Sequence, residues 1–259
     1  MGVNLPKLPP KGIARGNPVG AVVRLKPQPL RPDPDVYKPG FVLSRAQRTL
    51  LVVVLSAIGL LAWDTAAFLP LRLLVVTFHE MGHALAAVVT GGEVVALGVG
   101  LDESGFTLTR GGDRLFVLNG GYLGSILTGL GLLLSVQTTA GARGAAGVLG
   151  ALLSMVAVRY YAVDPVGLAT VLVTAVCLLG LATRSPGWLV EVAVRCLGWF
   201  SLLYALLDIR DDVFRPGGPD VRSDAAALES ITGIAAPIWG LSWVAVGVLL
   251  LWLVRRRLR

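Results

Sequence analysis

The sequence predicts an all-α polytopic membrane protein with six or seven transmembrane helices and a small β-hairpin after the second. Three observations carry that reading. Of 259 residues, 54% are hydrophobic and only 15% are charged, a balance far from that of a soluble globular chain. The apolar residues gather into runs long enough to cross a hydrocarbon layer of about 30 Å as helices. Charge is displaced to the ends: residues 1–48 carry nine Lys/Arg against two Asp, and four of the last five residues are Arg. Basic flanks beside hydrophobic spans read as cytoplasmic anchors under the positive-inside rule. The net charge of +7 therefore implies a multi-pass protein of the cell membrane, with the lipid bilayer and not a nucleic acid as its partner.

Residues 1–48 are rich in Pro, Gly, Lys and Arg and show neither helical nor strand periodicity, as expected of a disordered basic tail. The membrane domain is expected over 49–254, followed by a basic tail at 255–259. A first span is predicted at 50–69, with Asp64 late in it. Pro70 then separates it from a second span at 71–89, giving a tight helical hairpin. After Thr90-Gly91-Gly92 the pattern changes to β-leaning runs at 93–99 and 106–110 around the polar turn Asp102-Glu103-Ser104-Gly105, which predicts a hairpin. Its free edge is suited to pairing with an extended substrate segment. The third span, 115–136, opens with Asn119-Gly120-Gly121-Tyr122-Leu123-Gly124-Ser125. The glycines permit close helix packing, and Asn119 and Ser125 are candidates for bonding either a substrate backbone or a neighbouring helix. Further spans are expected at 145–162, 166–182, 188–207 and 234–254. Glu191 and Arg195, at i,i+4 spacing, are expected to neutralise each other. Cys177 and Cys196 have no metal-ligand spacing and read as small buried hydrophobes. Basic tails on one side require an even number of crossings, whereas these runs number seven, so one of the weaker segments, 145–162 or the short first span, is expected to be re-entrant or interfacial.

The chemistry sits in the second span. His79-Glu80-Met81-Gly82-His83 places two imidazoles on one helix face with a carboxylate directly after the first. Both rings can reach one zinc ion, and Glu80 can accept a proton from a water activated there. These are the only two histidines in the chain, so a third ligand must be a carboxylate or a cysteine. Ionisable groups inside a span are costly and mark functional sites. The second polar cluster at such depth is Asp208-Ile209-Arg210-Asp211-Asp212. Asp208 is the aspartate deepest in the apolar segment and is the expected third ligand, with Asp212 and Asp211 as alternates or as groups that orient a histidine. Ser223-Asp224 reads as a helix N-cap followed by a first-turn acid.

Together these residues resemble the intramembrane zinc metalloproteases of the site-2 protease class, in the branch called peptidase M50B-like. The likeness covers about residues 70–240. It rests on His79-Glu80-Met81-Gly82-His83-Ala84, the Thr90-Gly91-Gly92 turn with its hairpin, Gly120-Gly121-Tyr122-Leu123-Gly124-Ser125, and the blocks Asp208-Ile209-Arg210-Asp211-Asp212 and Ser223-Asp224-Ala225. The resemblance implies a Zn2+ cofactor held by His79, His83 and a distant aspartate, with Glu80 as the catalytic base. It also implies a transmembrane protein as substrate. Members commonly have Asp-Gly where this chain has Asp208-Ile209, and an Asn-containing motif where it offers Asn119 or Ser125, the two residues expected to bind substrate. A zinc-binding membrane scaffold without protease activity is the rival expectation. A metal transporter would want further metal-binding side chains along a path, and the other spans offer few.

Overall fold

The computed structural model describes residues 43–63, 65–161, 164–214 and 223–257, with the side chains of 211, 212, 214 and 257 left aside. The expected basic tail therefore lies outside the described residues up to position 42, as does Asp64. The elements are α1 (Arg45–Leu61), a short 3-10 turn (Ala66–Phe68), α2 (Leu69–Val89), β1 (Glu93–Val99), β2 (Gly105–Arg110), α3 (Arg114–Ser135), α4 (Thr139–Tyr160), α5 (Pro165–Arg184), α6 (Gly187–Phe214), α7 (Asp224–Thr232) and α8 (Ala236–Arg257).

Among the described residues six helices are long and apolar enough to cross a membrane, namely α2 with its leading 3-10 turn, α3, α4, α5, α6 and α8. The expected first span is not among them. Helix α1 has 17 residues, about 25 Å of rise, which falls short of the hydrocarbon thickness. It starts on a capping box in which the Ser44 hydroxyl and the Gln47 side chain satisfy each other's backbone N–H groups. Pro70 does not break the chain between two spans. It sits in the first turn of α2, where a missing N–H costs nothing.

The motif helix α2 is the most enclosed of the six, and α8 the least. Val75, Val76 and Phe78 of α2 anchor the largest apolar core, shared with β1, α3, α4, α5 and α6. On the outer faces Val88, Val148, Val158, Val176 and Val248 are exposed, as is Cys177 of α5, so only Cys196 is buried as expected. Apolar side chains turned outward on long helices suit lipid as the solvent, whereas patches of that extent are rare on soluble monomers.

Glycine lets α3 lie directly on α2. A Cβ on Gly82 would collide with the Gly120 carbonyl, and one on Gly124 would come 2.6 Å from Gly82 Cα. This is the close packing expected from the small residues of α3. Contact at that distance carries the opening of α3 up to the two histidines.

The hairpin follows α2, with β1 and β2 antiparallel in the register Glu93↔Arg110 to Val99↔Gly105 and an irregularity between Val94 and Ala96. Gly91, at φ 84°, turns the chain out of α2 in a conformation that a side chain would strain. Asp164 accepts from Val99 N at 2.7 Å, and Arg72 of α2 pairs with Glu103 in the turn at 3.0 Å. Both contacts lie at the turn end of the hairpin, which is thereby fixed against the membrane helices.

Elsewhere Glu191 has nearer partners than the expected Arg195, whose charge also acts on it. It pairs with Arg48 of α1 and accepts from the Thr139 hydroxyl, while Arg195 reaches Val136 O at 3.4 Å. The helical repeat brought Glu191 and Arg195 to neighbouring positions, but packing of α1 and α4 supplied Glu191 with nearer partners.

Candidate metal centre

Helix α2 presents His79, Glu80 and His83 near its middle, and their ligand atoms lie within 4.8 Å of one another. They line a cavity of about 300 Å³ closed by β2, α3, α6 and α7. His83 Nδ1 lies 2.7 Å from Val117 O. A carbonyl only accepts, so in the neutral ring Nδ1 carries the proton and Nε2 presents its lone pair to the cavity. His79 is held edge-on against Tyr122 at 4.7 Å between ring centroids, and Tyr122 in turn packs on Trp243 of α8.

Two aspartates face His79 from opposite sides of its ring. Asp224 Oδ2 lies 3.1 Å from His79 Nε2 and 3.1 Å from His83 Nε2, whereas Asp208 Oδ2 lies 3.9 Å from His79 Nδ1. Asp224 is brought there by α7, whose Ala225 and Leu228 are wholly buried and whose N-cap Ser223 bonds Ala226 N. Burial alone would raise the Asp224 carboxyl. When the two imidazoles are protonated on Nε2, their hydrogen bonds and charges together outweigh it and hold the group well below the usual carboxylate range.

This arrangement fits a tetrahedral ion. Two ligands at about 2.0–2.1 Å from zinc stand about 3.3–3.4 Å apart, close to the two Nε2–Oδ2 separations. Gly121 borders the same point. A Cβ there would overlap His79 Nε2 and lie 2.6 Å from His83 Nε2, so only glycine leaves both nitrogens accessible.

The profile of the Peptidase M50B-like family matches residues 51–254. The chain belongs to the Peptidase M50B-like family. Membership supports a protease, and an intramembrane metalloprotease is what the family suggests. Comparison with curated proteins and with solved structures finds no match.

In this M50B-like chain the sequence-predicted residues take distinct places. His79, Glu80, His83 and Asp208 line the cavity. Asp211 and Asp212 belong to α6, but their side chains lie outside the described residues. Asn119 bonds a neighbouring helix, accepting from Trp243 Nε1 at 2.7 Å. Ser125 is fully buried, with its carbonyl accepting from Ser201 of α6. Neither is among the residues lining the cavity. Sequence reasoning gave no site role to Asp224, Thr107, Gly105 or Gly121. Helix α7 buries Ala225 and Leu228, and its first residue, Asp224, is turned to the cavity with them.

Proposed function

We propose that this protein is an intramembrane zinc metalloprotease that hydrolyses peptide bonds of transmembrane substrates. The observation that carries the reading is the convergence of His79 Nε2, His83 Nε2 and Asp224 Oδ2 beside the Glu80 carboxylate. His79, His83 and Asp224 would hold the ion, Asp224 taking the place that sequence alone gave to Asp208. Asp208 and the Val117 carbonyl would orient the two rings through their Nδ1 atoms, the usual role of groups behind metal-ligating histidines.

When bound, zinc supplies a lowered pKa for water and polarisation of the scissile carbonyl. Glu80 accepts the proton of the attacking water and returns it to the leaving amine nitrogen, which needs one carboxylate within reach of both atoms. The substrate must be extended at the cleaved bond, because a helix keeps its carbonyls in internal hydrogen bonds. Strand β2 pairs on one side with β1, and its other edge is suited to hold such an extended segment. The six apolar helices support a multi-pass protein. An even number of crossings agrees with both basic tails lying on the cytoplasmic side of the cell membrane.

The test is zinc content and cleavage of a synthetic membrane-helix substrate by detergent-purified protein. Stoichiometric zinc with cleavage upholds the reading. Zinc without cleavage of any membrane helix makes the protein an inactive zinc-binding scaffold.

A further inference from the structure

We propose that strand β2 sets the position of the Glu80 carboxylate, with Thr107 as a positioning residue and Gly105 supplying the space the carboxylate occupies. The assignment rests on the reading of Glu80 as the proton acceptor. Glu80 follows His79 directly, so its side chain leaves α2 about 100° around from that histidine. Such a side chain has several rotatable bonds, and something outside α2 must hold it where a proton can be taken.

Strand β2 does so at two atoms. The Thr107 hydroxyl lies 2.6 Å from Glu80 Oε2 and 3.0 Å from Glu80 O. A hydroxyl has one hydrogen to give, and the shorter contact to the charged acceptor takes it. Two residues earlier, on the same face of the strand, stands Gly105. A Cβ there would overlap Glu80 Oε1 and come 2.8 Å from Glu80 Cδ and 2.9 Å from Val76 Cγ1. The strand thus bonds one oxygen and makes room for the other. Its own placement is fixed by the Val99–Asp164 hydrogen bond and the Arg72–Glu103 pair. Among the described residues the Thr107 hydroxyl bonds Glu80 and neither imidazole, so its work is separable from metal binding.

The experiment compares wild type, Thr107→Val, Thr107→Ser and Gly105→Ala for zinc content and for kcat and KM on the membrane-helix substrate. Thr107→Val is expected to keep full zinc, to lose about tenfold in kcat, as suits loss of a hydrogen bond to a charged group, and to leave KM within about twofold. Thr107→Ser, which restores the hydroxyl, is expected within about threefold of wild type. Gly105→Ala is expected to lose kcat at least as severely with zinc retained. Wild-type kcat in Thr107→Val, failure of serine to rescue, a change confined to KM, or loss of zinc would overturn the assignment and leave the protease reading standing. Zinc-loaded wild type that cleaves no membrane helix removes the protease reading, and this assignment with it.

Discussion

His79 Nε2 and Asp224 Oδ2 lie 3.1 Å apart although 145 positions separate them in the chain. The first residue of a nine-residue helix thereby meets the middle of a membrane span, and the same carboxylate oxygen is equally close to His83. A third ligand at this point predicts unequal effects for the two aspartates. Asp224→Ala should lose zinc outright under competition with a chelator. Asp208→Ala should retain it with affinity weakened about 10- to 100-fold, the usual cost of removing a group that orients a ligand. Zinc titration against a fluorescent chelator reads both, and the opposite order would make Asp208 the ligand.

Glu80 makes the second prediction. Glu80→Gln keeps the shape of the side chain and removes its basicity, so zinc should remain stoichiometric while cleavage falls by about 10²–10⁴-fold. His79→Ala should lose both metal and cleavage. Undiminished turnover by pure Glu80→Gln would remove the proton-accepting role.

How much of this was legible in sequence follows from the range of the interactions. His79, Glu80 and His83 are set by the turn of one helix, so spacing alone places them on adjoining positions. The six spanning helices and the hairpin are likewise written in local hydropathy and alternation. Asp208 is the ligand that depth in an apolar run and the parity of the spans point to, whereas Asp224 reads in sequence only as a first-turn acid after an N-cap. Helix α6 continues through that run to Phe214, and α7 then returns the chain with Asp224 at its start. That return is tertiary and leaves no periodic trace. The same limit hid the partner of Asn119, which lies 124 residues away on α8.

The Asn119–Trp243 hydrogen bond gives a third prediction. Interhelical hydrogen bonds within membranes average about 0.6 kcal/mol in double-mutant cycles. Asn119→Ala and Trp243→Phe should each lower the thermal midpoint slightly, with the double variant less destabilised than the two effects added. KM for the membrane-helix substrate should stay unchanged in Asn119→Ala. A raised KM with unaltered stability would instead give Asn119 a substrate contact.

Gly121 tests whether the two imidazole nitrogens need the bare backbone of α3. An added methyl would overlap His79 Nε2 and crowd His83 Nε2, and the Gly82–Gly120 and Gly82–Gly124 contacts leave α3 little freedom to withdraw. Gly121→Ala should therefore lose most of its zinc and its cleavage. Gly131 provides the control on the same helix, because a Cβ there meets nothing within 4 Å and alanine is the better helix former by about 0.5–1 kcal/mol. Gly131→Ala should bind zinc like wild type and unfold no earlier. Full zinc occupancy in Gly121→Ala, measured beside that control, would mean that α3 yields where its packing on α2 says it cannot.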